Sequence, residues 1–209
     1  MSDECKLFLG ICNTQDSVPS DLFWSFMHIK RPYPIVAYRS THAWDVVRNN
    51  RIIDKFLKSD CNVLAKMDID QTYPSDYFER FVPLALKNGV SGPLIYDRWP
   101  QNKFMPLAFE DVEGQYPIPM DISNLNGVVD IPYPHTNLFY RRDVLNDIPA
   151  PWYEAYLSDD GLDRANHVDF SFIKKIHDVG FRVMIDLDCV VGHQFNTFVG
   201  KEFHDAWNR

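Results

Sequence analysis

Short apolar runs of strand length alternate with longer amphipathic stretches through the first half of the chain, at 6–12 (KLFLGIC), 35–38, 63–67 and 89–96. Between them, 43–59 carries Val46, Val47, Ile53, Phe56 and Leu57 on one helical face. The segment 75–88 does the same with Phe78, Phe81, Val82 and Leu86. Ser20 and Ser75 are predicted N-caps of helices over 20–29 and 75–88, and Pro32 and Pro34 break the chain before the second strand. Continuous apolar strands need cover on both faces, and amphipathic helices supply it. The order β-α-β-α-β-α-β therefore predicts an α/β domain, Rossmann-like, with a mainly parallel central sheet flanked by helices. In such sheets ligands bind beyond the carboxyl ends of the strands.

The third apolar run ends at such a position, in Asp68-Ile69-Asp70-Gln71-Thr72-Tyr73-Pro74. In an extended chain alternate side chains share a face, so Asp68 and Asp70 are predicted to point the same way. Two carboxylates so placed repel unless a cation lies between them. One reading is a metal site of hard oxygen donors, suited to Mn²⁺ or Mg²⁺ and through the ion to a diphosphate. A second is the DxDxT motif of haloacid-dehalogenase-type phosphatases, with Asp68 as nucleophile, Asp70 as general acid and Asp159-Asp160-Gly161 as the late acidic motif. A third is a pair of solvated acids. Asp186-Leu187-Asp188 repeats the spacing, so the pair alone does not choose.

The second half has a different texture. Residues 99–134 are rich in Pro, Asn and acids without a clear period, and read as a long irregular insertion near the site, of the kind that forms lids. Strands are predicted at 128–131, 137–140 and 181–185, a helix over 168–179 ended by Gly180, and a closing helix at 198–207. No repeat or linker divides the chain. The expectation is a single domain over 1–209, with a nucleotide-binding half at 1–96 and an acceptor-side half and tail at 97–209. The net charge of −8, with no basic run, makes duplex nucleic acid an unlikely partner. Cys5, Cys12, Cys61 and Cys189 lack zinc-ribbon or disulfide-framework spacing and read as reduced thiols. No apolar run reaches membrane-span length and the start lacks the order of a secretory signal, so a cytoplasmic protein is expected.

Residues 167–193 carry the strongest ordered pattern: Asp169, Phe172, Gly180-Phe181, Asp186 and Gly192-His193. This series resembles the closing section of GT-A-fold nucleotide-sugar glycosyltransferases, similar to glycosyltransferase family two. Val47-Arg48-Asn49 is similar to the Ala-Arg-Asn that precedes the family's DxD strand. Asn137-Leu-Phe-Tyr-Arg-Arg-Asp-Val resembles the segment before its acceptor-side loop. The likeness extends from Lys6 to about Gln194. It implies a metal-dependent transferase that moves a sugar from a nucleoside-diphosphate sugar, a UDP-sugar first, to a hydroxyl of a glycan, protein or small molecule, with inversion. It further implies Asp169 as catalytic base, Asp68, Asp70 and His193 as metal ligands, and Asn13, Arg48, Asn49 and Asp68 as nucleotide contacts. His135, Trp99 and Trp152 are candidate acceptor-stacking rings, and Arg141 and Arg142 either reach a diphosphate or start a helix. One departure stands out: the family's Glu before the base is Val168 here. That leaves open a non-catalytic nucleotide-sugar or glycan binder of the same fold.

Overall fold

The computed structural model describes residues 5–13, 18, 20–98, 105–111, 117–156 and 167–194. The first half follows the predicted order with one short strand, β4, added: β1 (Leu7–Cys12), α1 (Ser20–His28), β2 (Ile35–Ser40), α2 (Asp45–Leu57), β3 (Val63–Asp68), β4 (Gln71–Thr72), α3 (Tyr77–Asn88) and β5 (Val90–Ile95). The second half contributes β6 (Ala108–Glu110), β7 (Ile118–Pro119), β8 (Val128–Asp130), β9 (Tyr133–Pro134), β10 (Phe139–Arg141), α4 (Arg142–Asp147), α5 (Val168–Asp178) and β11 (Val183–His193).

The main sheet runs β2-β1-β3-β10-β5-β11-β4, with β8 also pairing β11. β1 is parallel to β2 and β3, and β5 is parallel to β11. β10 is antiparallel and separates the two parallel groups, pairing Phe139 with Ala65 on one side and with Ser91 on the other. Period-two alternation sorts each strand between two cores. Leu7, Leu9, Val63, Ala65, Met67 and Phe139 pack with α1 and α3 residues such as Leu22, Phe78 and Phe81. Phe8, Leu64 and Tyr140 pack on the other face against Ile52 and Phe56 of α2 and Phe172 and Ile176 of α5. Gly10 permits the close approach of α2, since a Cβ there would lie 2.4 Å from Ile52 Cγ2.

Several local expectations change. The N-cap of α3 is Asp76, not Ser75, whose carbonyl instead accepts a hydrogen bond from the Lys30 N–H. The strand expected at 181–185 begins at Val183 and continues to His193 as β11, whose register with β5 jumps from Asp186↔Pro93 to Val190↔Leu94 across a bulge. The 99–134 insertion is not irregular throughout. Within its described residues β7, β6 and β9 form a small antiparallel sheet and β8 joins the main one. Trp99, Asp159-Asp160-Gly161 and the closing helix expected at 198–207 lie outside the described residues. The four cysteines are free thiols, buried except for Cys5, which is half-buried. Among the described residues no helix is long and apolar enough to cross a membrane.

Candidate active site

Parallel strands deliver their carboxyl ends to one edge of the sheet, and an antiparallel strand delivers its amino end there. Cys12 of β1 lies beside Asp68 of β3 in the register, and the residues before β10, His135, Thr136 and Asn137, arrive at the same edge. They line a cavity of about 630 Å³ together with Arg48, Asn49, Lys66, Asp70, Arg98, Asp169 and His193. Asn13, buried one residue beyond β1, is not among the lining residues, and its backbone N–H donates to the Ser40 carbonyl.

β3 stops at Asp68, and residues 69–70 form a turn, so strand alternation does not set the direction of Asp70. Tyr73 pins the turn. Its buried hydroxyl accepts from the Asp68 N–H at 3.0 Å and reaches the Asp68 carbonyl at 2.9 Å and Gln71 Oε1 at 3.1 Å. β4 then pairs with the end of β11, Gly192 opposite Thr72 and His193 opposite Gln71. A Cβ on Gly192 would come within 2.4 Å of Thr72 Oγ1, so this contact uses the missing side chain.

The pairing carries His193 to Asp70. His193 Nε2 is 3.7 Å from Asp70 Oδ2, while Nδ1 lies 2.9 Å from the Tyr96 carbonyl. A proton on Nδ1 donated to that carbonyl leaves the Nε2 lone pair facing the carboxylate. Burial alone would depress the His193 pKa, but the Asp70 carboxylate and the Tyr96 carbonyl reverse that and raise it. For Asp70, burial works upward, and His193 and Arg98 together hold its pKa below the ordinary carboxylate value. Arg98 donates to Asp70 Oδ2, whereas Oδ1 is buried with no hydrogen-bond partner. An orphaned carboxylate oxygen beside an oriented imidazole suits a divalent cation. Asp68 is differently engaged, since its Oδ2 accepts from Asn137 Nδ2 at 2.6 Å. Asp68, Asp70 and His193 do not converge as a three-donor cluster among the described residues.

Asp169, which lines the same cavity as Asp70, sits in the first turn of α5, whose N-cap is His167. Its Oδ1 accepts from the Thr136 hydroxyl at 2.7 Å. Val168, where the resembling family has its acid, is buried in the core at the cavity's edge. Leu107, Phe109 and Phe170 give this side an apolar wall, with the two rings edge to face at 5.1 Å.

Lys66 links the two sides. It is a buried lysine in the otherwise apolar β3, donating to Asn137 Oδ1 at 2.6 Å and Thr136 Oγ1 at 3.4 Å. Burial pulls its pKa down, but Asp68, Cys12 and Asp169 outweigh burial and raise it, so it remains an ammonium. Sequence reasoning missed Lys66, Arg98, Thr136 and Asn137. Only Lys66 carried a visible signal, as the one charge inside an apolar run. His135 is not a stacking ring: Nε2 donates to the Pro93 carbonyl at 2.9 Å and Nδ1 accepts from the Asn137 N–H at 3.1 Å. Trp152 is packed against the core and donates from Nε1 to the Leu145 carbonyl. Arg142 starts α4 and reaches the carbonyls of Phe56, Leu57, Ser59 and Cys61, away from the cavity.

Neither a protein-family model nor a curated protein matches the sequence. Solved structures do resemble the fold. GalNAc-T7, solved with UDP, GalNAc and Mn²⁺, superposes with a TM-score of 0.60 at 13% identity, over 94% of this chain and 45% of that one. A197 from STIV gives 0.55 at 15% identity, over 94% of this chain and 97% of that one. S. aureus TarS in complex with UDP-GlcNAc gives 0.54 at 11% identity, over 97% of this chain and 64% of that one. The chain has a GT-A-like fold. At these identities the likeness is one of fold, and the chain spans less than two thirds of the TarS and GalNAc-T7 chains. None of these similar structures is a haloacid-dehalogenase-type phosphatase. On a GT-A-like sheet the cavity occupies the edge where such α/β folds hold their ligands.

Proposed function

We propose that the cavity is the active site of a glycosyltransferase moving a sugar from a nucleoside-diphosphate sugar, a UDP-sugar first, to an acceptor hydroxyl. The observation that carries this reading is the meeting of Asp68, Asp70 and His193 with Asp169 around one cavity at the strand ends of a GT-A-like fold. That GalNAc-T7 and TarS were solved with UDP or UDP-GlcNAc supports the choice of donor.

Asp70 and His193 would hold a divalent cation. An imidazole among the donors favours Mn²⁺ over Mg²⁺, which prefers an all-oxygen shell. When bound, such an ion offsets negative charge that builds on the departing diphosphate. Asp68, kept in place by Asn137, serves the metal or the nucleotide, and Arg48 and Asn49 border the nucleotide side. Asp169 takes the proton from the acceptor hydroxyl through Oδ2, because Thr136 occupies Oδ1. The acceptor oxygen forms the new bond to the anomeric carbon as the bond to the diphosphate breaks with its electron pair. A single displacement of this kind inverts the anomeric carbon. With Val168 in place of an acid, the apolar wall of Phe109 and Phe170 supplies acceptor contacts by ring stacking.

Asp169→Asn is expected to lower the transfer rate by about 10²–10⁴-fold. UDP affinity, measured by calorimetry with Mn²⁺, should be unchanged. A variant that transfers sugar at the wild-type rate would sink the assignment.

A further inference from the structure

We propose that Lys66 is a positioning residue for the transfer, joining the donor-side acid and the acceptor-side base into one hydrogen-bonded unit. The inference rests on the transferase reading above. The chain runs from Asp68 Oδ2 to Asn137 Nδ2 at 2.6 Å, from Asn137 Oδ1 to Lys66 Nζ at 2.6 Å, from Nζ to Thr136 Oγ1 at 3.4 Å, and from the Thr136 hydroxyl to Asp169 Oδ1 at 2.7 Å.

The ammonium has only donors to offer, and this sets the direction of every other bond. Asn137 must turn its carbonyl to Lys66, which aims its NH₂ at Asp68. Thr136 accepts from Lys66, which commits its hydroxyl hydrogen to Asp169. Both carboxylates are thereby held as acceptors, Asp68 through Oδ2 and Asp169 through Oδ1. Asn137 and Thr136 are adjacent in the segment that leads into β10, so one buried cation holds both arms through two neighbouring residues. A buried ammonium is costly to desolvate, and an apolar residue would fill a strand position more cheaply. In β3 the neighbours Val63, Leu64, Ala65 and Met67 are apolar, so the charge at 66 is not explained by packing.

The test measures UDP release from UDP-glucose, UDP-galactose and UDP-GlcNAc with Mn²⁺, beside UDP affinity by calorimetry. Thr136→Val cuts only the acceptor-side arm. It should lower the rate constant by about 10–100-fold while UDP affinity stays within about twofold, and Thr136→Ser should recover most of the loss. Asn137→Leu should weaken UDP binding. Lys66→Met should do both, and the Lys66→Met/Thr136→Val double variant should be no slower than Lys66→Met alone, because one unit has already been broken. Circular dichroism checks folding, and if Lys66→Met is unfolded the Thr136 pair decides alone. Wild-type rates in Thr136→Val, or losses that multiply in the double variant, overturn the inference and leave the transferase reading standing. A wild-type protein that neither binds UDP nor releases it from any of these donors overturns the transferase reading and this inference with it.

Discussion

His135 shows how a side chain at the edge of a site can work through structure alone. Both ring nitrogens are engaged, one with the Pro93 carbonyl and one with the Asn137 N–H, and burial pushes its pKa down to about 4 from the ordinary 6.5. The folded protein thus keeps this imidazole neutral where the unfolded chain would protonate it. The sign follows: His135 contributes stability above pH ~6.5 that is lost progressively as the pH falls toward 4. Between pH 7 and 5 the loss should reach about 2 kcal/mol. Urea denaturation at the two pH values should show a flatter dependence for His135→Gln than for the wild type. Identical drops would rule out this account. Lys66 is the opposite case, a buried charge kept ionised because carboxylates on both sides outweigh its desolvation.

Among the elements, α4 illustrates the difference between a cation at a site and a cation in the frame. Arg142 sends its guanidinium under the C-terminal end of α2, where helix carbonyls lack intrahelical partners, and lies 4.6 Å over the Phe56 ring. Arg142→Met should cost on the order of 2–4 kcal/mol, since several half-buried carbonyls lose a charged donor together. Lys should restore only part of this, lacking the planar fork. UDP affinity of the folded variant should be that of wild type; a large loss of affinity would return Arg142 to the diphosphate. The β4–β11 pair works at the same scale. It places His193 against Asp70 through two register positions, so the candidate metal donors depend on an element of two residues and on the bulge that extends β11 to reach it.

For the molecule as a whole, the proposed donor acts as a stabiliser by mass action. UDP at 100 times its dissociation constant should add about 2.7 kcal/mol, a rise in Tm of roughly 5–10 °C for a domain of this size. The rise should require Mn²⁺, vanish with a chelator, and be lost in Asp70→Ala. An equal shift with and without Mn²⁺ would argue that Arg98 and Lys66, not a metal, meet the diphosphate charge.

The layered α/β architecture was legible in the sequence because its signals are local. Apolar runs of strand length and helical spacing appear within windows of a few residues, and both faces of β1 and β3 are buried as their mainly apolar sequences require. The acidic pair was legible for the same reason, as the end of one such run. What only the tertiary structure decided is which strands are neighbours. The insertion of β10, antiparallel, between β3 and β5 joins residues some 70 positions apart, and no periodicity encodes that choice. Once made, it brings Thr136 and Asn137 to Lys66 and turns Asp68 and Asp169 into the ends of one network. Local pattern determines which segments become strands and helices, because burial and backbone hydrogen bonding act along the chain. The site depends on pairing across the sheet, where the energy belongs to contacts between distant segments.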